Sequence, residues 1–145
     1  MTNYVIIGSG AAGIAAAGSI RREDSRNKIQ VITDDPFGYY SRPGLAYLLT
    51  GEVPQEQLFP FNQEYYRELN IQLVKGCVRF ILPDQHQLVT SNGSYIQYDR
   101  LLLSTGASAN MSRVPGVELE GVVKLDNLED AVHILKNARK ARTAV

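Results

Sequence analysis

The sequence predicts an α/β fold in which a parallel sheet crossed by helices carries a three-stranded antiparallel meander. Three observations lead there. Tyr4, Val5, Ile6 and Ile7 form an unbroken buried-strand run that passes directly into Gly8, Gly10 and Gly13, followed by small residues suited to a close-packed helix. A second strand-like run, residues 28–33, ends in Asp34 and Asp35. From residue 77 the pattern changes to three short runs, separated by Pro83-Asp84 and by Ser91-Asn92-Gly93-Ser94.

The glycines sit in the strand–turn–helix context that a G-x-G-x-x-G pattern requires. Gly8 permits the tight turn, Gly10 lets backbone approach a pyrophosphate, and Gly13 lets the helix pack close on the strand. The first helical turn then aims free N–H groups and the positive end of its dipole at an anion, and Ala11 and Ala12 add no bulk there. The acids follow about twenty residues past the glycines, where the pattern places a carboxylate that accepts from a ribose 2′-OH and repels a 2′-phosphate. A glycine-rich turn beside a solvated acidic loop is the structural alternative. The pattern and its context together favour a dinucleotide site on a Rossmann-like sheet.

The chain's length suits one domain, or a large part of one. Its hydrophobic fraction of 44% is enough for a sizeable core, and its formal net charge of zero argues against nucleic acid or a membrane surface as a partner. The single cysteine, Cys77, cannot form an internal disulfide and points to a reducing, cytoplasmic compartment. The apolar N-terminal run lacks a basic flank and is broken by glycines, so it does not read as a signal peptide. No run is long enough to span a bilayer.

Taken in order, residues 11–22 predict the first helix, with Arg21 and Arg22 favourable at its end, then a polar turn and the strand at 28–33. A right-handed crossover places the two strands side by side. Residues 36–43 are rich in Gly and Pro and read as a loop, and 44–50 as a short helix. The aromatics of this stretch either cover the sheet edge or wall a flat anionic cofactor, with Arg42 meeting phosphate as a multi-donor fork. Residues 64–70 read as a helix with Tyr65, Tyr66 and Leu69 as its stripe, and 71–74 as the next strand. The runs at 77–82, 87–90 and 95–97 form the meander, laid against the parallel sheet, with Cys77 as a buried small hydrophobe. His86 and His133 have no companion ligands in the pattern, so no metal site is expected. Residues 101–107 form an apolar strand ending in Ser104-Thr105-Gly106-Ala107, small enough to let backbone amides near a ligand at the strand's carboxyl end. A loop at 108–116, a strand at 121–125, a cap at Asp126 or Asn127, a helix at 128–142 and the opening of another strand at 143–145 complete the reading.

This order of motifs resembles the N-terminal FAD-binding region of the two-dinucleotide-binding-domain flavoproteins, the pyridine nucleotide–disulfide oxidoreductase class. The resemblance rests on Gly8-Ser9-Gly10-Ala11-Ala12-Gly13, Tyr40-Ser41-Arg42-Pro43-Gly44-Leu45, Tyr98-Asp99 with Ser104-Thr105-Gly106-Ala107, and Val114-Pro115-Gly116-Val117. It is nearest to the rubredoxin and ferredoxin reductases and the FAD part of NADH-dependent nitrite reductase. It implies FAD as cofactor, held by Gly8, Ser9, Gly10, Ala11, Ala12, Gly13, Asp34, Asp35, Arg42, Pro43, Tyr47, Val78, Ser104, Thr105 and Gly106. Asp35 aligns best with the family's acid, and Asp34 is the alternative. Residues 1–125 would then be the N-terminal portion of an FAD-binding domain, incomplete at its C-terminus, and 126–145 a helix and linker leading to an NAD(P)H-binding domain. In the complete enzyme NAD(P)H would reduce FAD, and electrons would leave to an acceptor such as a small redox protein. The 145-residue chain alone is not expected to be active. The family's cysteine pair is missing, as is the single redox cysteine before a segment like Gly44-Leu45-Ala46-Tyr47. Tyr47 stands where several ferredoxin reductases carry a lysine near the flavin, and Asn110 where a proline is common. No catalytic residue is assigned. The rival readings are an NAD-binding dehydrogenase domain and a non-catalytic scaffold that binds a partner through its aromatic loop.

Overall fold

A strand that is apolar without a break must be covered on both faces, and Tyr4 to Ile7 meet that condition. The computed structural model describes residues 1–111 and 113–143. Its elements are β1 (Asn3–Ile7), α1 (Ala11–Glu23), β2 (Lys28–Thr33), α2 (Gly44–Thr50), α3 (Gln63–Glu68), β3 (Ile71–Lys75), β4 (Val78–Leu82), β5 (Gln87–Thr90), β6 (Tyr95–Gln97), β7 (Arg100–Leu103) and α4 (Leu128–Ala138). They fall into two compact units. Met1–Tyr40 and Phe61–Gly106 make the first, with every strand, α1 and α3; Ser41–Pro60 and Ala107–Val145 make the second, with α2 and α4.

In the first unit β1 is central to a parallel sheet of order β3-β2-β1-β7, with Ile7 opposite both Ile32 and Leu103. Side chains alternate across it as the strand period demands. Ile6, Ile29 and Val31 bury against Ile14 and Ala17 of α1 and Tyr66 of α3. Val5 and Ile32 turn the other way and bury against Leu88 and Tyr98, with Val78, Ile81 and Ile96 packed beside them. The expected meander is therefore present as the antiparallel sheet β4-β5-β6, and it covers the second face. Gly93 takes φ +82 in the β5–β6 turn, as the Asn-Gly signal requires.

The end of the unit remote from the strand tips is tied by one arginine. Arg21, 8% exposed, donates from Nε to the Leu69 carbonyl (2.7 Å), from Nη1 to Asp24 (2.8 Å), and from Nη2 to Asn27 (2.8 Å) and Asn70 (3.0 Å). It thus satisfies four carbonyls at the ends of α1 and α3 and before β2. Beside it the Asp24 carboxylate accepts the backbone and side-chain N–H groups of Asn27, the backbone N–H of Arg26 and the Tyr4 hydroxyl. The bonds from Asn27 foremost pull its pKa from the ordinary 3.8 down to about 2.

Several expectations shift in register or in kind. The first helix runs one residue past the predicted 22, to Glu23. The helix expected at 64–70 starts at Gln63, because the Asn62 side chain caps the Tyr65 N–H, and it stops at Glu68. Asn70 is left-handed there (φ 46). Cys77 is half-buried rather than buried and precedes β4. In the second unit α2 forms at its predicted bounds and closes on left-handed Gly51, α2 and α4 are in contact, and Leu45, Leu58, Leu128 and Ala131 are buried. Asn127 is the cap of α4: its side chain accepts the Asp130 N–H at 2.8 Å. Two expectations fail here. Residues 121–125 form no strand: Gly121 is left-handed (φ +91), the Val122 N–H turns back to the Leu119 carbonyl, and no ladder among the described residues pairs with this segment. The helix expected to reach 142 ends at Ala138, where the N–H groups of Lys140 and Ala141 both close on the Asn137 carbonyl. The Arg-Lys-Ala-Arg run beyond it offers no large apolar group to bury. The expected strand opening at 143–145 falls on Ala144 and Val145, outside the described residues.

Two outcomes follow from the Arg21 cluster. Arg21→Met keeps the apolar stem but orphans four carbonyls, and should cost about 3 kcal/mol or more in urea unfolding. Asp24 has a depressed folded pKa, so its contribution is present above pH 3.8 and is lost as pH falls toward 2. The stability gap between parent and Asp24→Asn, read from urea midpoints, should therefore be open at pH 7 and close across that window; a gap independent of pH would contradict it.

Candidate functional site

The carboxyl ends of β1, β2, β3 and β7 converge at one edge of the first unit, where ligands of open α/β sheets bind. The turn from β1 into α1 comes first. The Gly8 N–H donates to the Ile32 carbonyl (2.8 Å), which fixes the turn on β2. Gly8 has φ +106, and a Cβ there would fall on the Ser104 carbonyl oxygen. A Cβ at Gly13 would fall on the Gly8 carbonyl oxygen and the Ser104 hydroxyl. Gly10 differs: φ is −70°, and a Cβ would meet nothing within 4 Å among the described residues. Two glycines thus serve backbone packing, and the third faces open space.

That space lies over the start of α1. Gly10 is the N-cap without a side chain, and the first intrahelical bond runs from the Ile14 N–H to the Gly10 carbonyl (3.0 Å). The N–H groups of Ala11, Ala12 and Gly13 precede it and have no intrahelical acceptor. Ala11 and Ala12 are exposed. With a helix of 13 residues behind them, these donors make a cradle for a phosphate or pyrophosphate.

Ser9 and Ser104 have different roles. Ser9, 3% exposed, donates its hydroxyl to Thr33 Oγ1 at 2.9 Å. The Ser104 hydroxyl donates to the Ile7 and Gly8 carbonyls (2.9 and 3.2 Å) and so clasps the turn from β7. Thr105 and Gly106 follow it, exposed, with Gly106 left-handed.

At the tip of β2 the two acids separate. Asp35 is half-buried, and its Oδ1 accepts the Phe37 N–H at 2.9 Å in a turn that shapes the loop. Asp34 is exposed, and its carboxylate makes no hydrogen bond among the described residues. Both border a cleft of about 410 Å³ lined by Thr33, Asp34, Asp35, Pro36, Lys75, Gly76 and Cys77. The Gly76 N–H donates to the Thr33 carbonyl (2.8 Å), and Lys75 Nζ donates to the Pro36 carbonyl (3.2 Å). Val78 opens β4 immediately beyond. Thr33, Pro36, Lys75, Gly76 and Cys77 were missing from the sequence-predicted site. The rule that ligands gather at carboxyl ends of parallel strands could have found those after β3.

Arg42, Pro43 and Tyr47 belong to the second unit. Pro43 precedes α2, and Tyr47 within it is 52% exposed. Arg42 Nη1 donates to the Asp126 carbonyl at 3.0 Å and lies 3.6 Å from its carboxylate. The Asp126 pKa is lowered, first by the Ala109 N–H and then by Lys124 and Arg42. Among the described residues no His, Cys, Asp or Glu cluster could hold a metal ion, and no helix is long and apolar enough to cross a membrane.

Known proteins resemble this chain in sequence and fold. The family described as pyridine nucleotide-disulphide oxidoreductase matches residues 2–145. The ferredoxin–NAD(+) reductase subunit of the benzene 1,2-dioxygenase system of Pseudomonas putida is 33% identical over 141 residues, covering 95% of this chain and 34% of that protein. A ferredoxin reductase of Rhodopseudomonas palustris superposes with a TM-score of 0.87 at 28% identity, over 97% of this chain and 35% of its own. The covalent putidaredoxin reductase–putidaredoxin complex gives 0.83 at 30% identity, over 94% and 34%. The chain spans about a third of the length of the curated relatives it matches.

The glycines make a divided prediction. Gly10→Val should fold within about 1 kcal/mol of the parent, a cost of the size seen for poor N-caps, and lose ADP binding by calorimetry. Gly13→Ala overpacks backbone and should cost roughly 1–3 kcal/mol in urea unfolding. Parent-like ADP binding by Gly10→Val would remove this turn from the ligand site.

Proposed function

The chain belongs to the pyridine nucleotide-disulphide oxidoreductase family, and from that premise we propose that it is the FAD-binding portion of an NAD(P)H-dependent electron-transfer flavoprotein. One observation carries the reading: of the motif's three glycines, Gly8 and Gly13 are closed off by backbone, while Gly10 faces open space over unpaired helical N–H groups. That is the geometry a pyrophosphate needs. In this proposal Gly10, Ala11, Ala12 and Gly13 hold the pyrophosphate, with Gly8, Ser9 and Ser104 shaping the turn. Asp34 accepts from the ribose, and Asp35 sets its loop. The adenine takes the cleft between Asp34 and Cys77, near the Val78 backbone. Thr105 and Gly106 offer backbone, and Arg42, Pro43 and Tyr47 serve the rest of the cofactor. Residues 1–125 form the N-terminal portion of the FAD domain, and 126–145 lead toward an NAD(P)H domain.

FAD, when bound, supplies the redox chemistry; these residues supply binding, orientation and electrostatics. No cysteine pair is present, since Cys77 is the only cysteine in the sequence, so no disulfide relay operates within this stretch. Two of the named proteins are ferredoxin reductases, and the third is a putidaredoxin reductase in covalent complex with putidaredoxin. A small redox protein is accordingly the proposed electron acceptor of the whole enzyme, in a reducing, cytoplasmic compartment.

The contacts assigned here are mostly to the ADP half of FAD. A ring that is not packed keeps its mobility and adds little affinity. The 145-residue chain should bind ADP nearly as well as FAD, and with FAD should oxidise NADH no faster than free flavin. ADP should also slow alkylation of Cys77 by N-ethylmaleimide, because Cys77 lines the cleft. Calorimetry, stopped-flow absorbance and timed mass spectrometry read the three outcomes. FAD binding a thousandfold tighter than ADP, or fast reduction by NADH, would show that these residues build a complete flavin site.

A further inference from the structure

Two parts of the ligand site come from separate turns: the glycine turn after β1 and the acidic loop after β2. The cleft beside the acids includes no residue of the glycine turn. One side chain joins them. Thr33, the last residue of β2, is 7% exposed. Its Oγ1 accepts the Ser9 hydroxyl at 2.9 Å and the Asp35 N–H at 3.1 Å. Its carbonyl accepts the Gly76 N–H at 2.8 Å and so fixes the far wall of the cleft. Ser9 lies between the two glycines that make the turn. The N–H that Thr33 captures belongs to the residue next to Asp34, so the hydroxyl sets the peptide plane from which the exposed carboxylate projects.

We propose that Thr33 is a positioning residue: its buried hydroxyl couples the phosphate-facing glycine turn to the ribose-facing acid loop, so that the two halves of a nucleoside diphosphate are bound cooperatively. This rests on the nucleotide reading of the site. Thr33 has no assigned contact with the ligand; it acts through Ser9 and the Asp35 peptide. Both hydroxyls are buried, so a change at either is relayed within the pair rather than absorbed by water. The hydroxyl is the working group, and the γ-methyl contributes only packing.

The test uses the full 145-residue chain with ADP and adenosine, by calorimetry and competition, beside urea unfolding. ADP reaches both turns; adenosine reaches only the acid loop. Thr33→Val keeps the volume and removes the hydroxyl, and ADP affinity should fall about tenfold. Thr33→Ser should restore it to within about twofold of the parent. Ser9→Ala leaves the strand intact and is the variant to read if Thr33→Val unfolds; it should weaken adenosine as well as ADP, by about threefold or more. ADP affinity unchanged in Thr33→Val, or equal losses in Thr33→Val and Thr33→Ser, would overturn the coupling role while the nucleotide site stands. Ser9→Ala losing ADP but not adenosine would do the same, because the turn would then act alone. A parent chain that binds no ADP overturns the nucleotide reading itself, and the coupling with it.

Discussion

The ligand-facing edge depends on a close approach of three backbone segments. At the start of α1 the chain lies so near β1 that a Cβ on Gly13 would meet the Gly8 carbonyl, and the turn lies so near β7 that a Cβ on Gly8 would meet Ser104. The Ser104 hydroxyl then bonds the two carbonyls it faces, Ile7 and Gly8. Close packing here serves electrostatics as well as density. It aims the unpaired N–H groups of α1 outward over Gly10, where space is open. A side chain on Gly13 would push the helix off the turn, and one on Gly8 would push the turn off the backbone at Ser104; either would move the donors.

The first unit keeps stability and recognition at different ends of its sheet. The Arg21 guanidinium gathers carbonyls from the ends of α1 and α3 and from the turn before β2, and Asp24 gathers donors from the same turn and from Tyr4. These polar groups are paired, so their burial is compensated. At the other end the helix donors, the Asp34 carboxylate and the cleft have groups to offer a ligand. The sheet between them is covered on both faces, by α1 and α3 on one and the meander on the other. It can therefore hold those groups still without contributing to recognition itself.

How far this was legible depended on whether a feature is local. Strands β1, β2, β5, β6 and helix α2 follow from period and turn residues, and the close approaches at Gly8 and Gly13 follow from the glycine pattern in its strand–turn–helix context. The meander follows from Asn92-Gly93 and short alternating runs. Features decided by distant partners were not legible. Residues 121–125 have strand-like composition, yet Gly121 turns them away from any ladder among the described residues. The different surroundings of Asp34 and Asp35 were not legible either: the Asp35 side chain accepts the Phe37 N–H, while Asp34 is exposed. The Ser9–Thr33 bond spans 24 residues, and no propensity foretells it. The cleft wall at Lys75 to Cys77 needs β3 to be paired beside β2 before it exists.

Arg42 shows how composition and structure weigh the same side chain differently. In the sequence it is a cation in an aromatic loop and a ready phosphate partner. In its own unit Nη1 is held by the Asp126 carbonyl and carboxylate, and Asp126 also receives Lys124 at 3.4 Å. An anion drawn to this guanidinium must share it with a carboxylate whose pKa is already depressed by its neighbours. Arg42 is 48% exposed in its side chain, so the pairing is screened and worth little in stability; its effect is to orient the fork and reduce its net charge. The backbone donors over Gly10 have no such competitor. They carry partial charge that no carboxylate of the turn offsets, and they lose no side-chain entropy on binding. On the proposed reading the pyrophosphate is therefore drawn mainly by backbone, and the arginine refines direction more than strength.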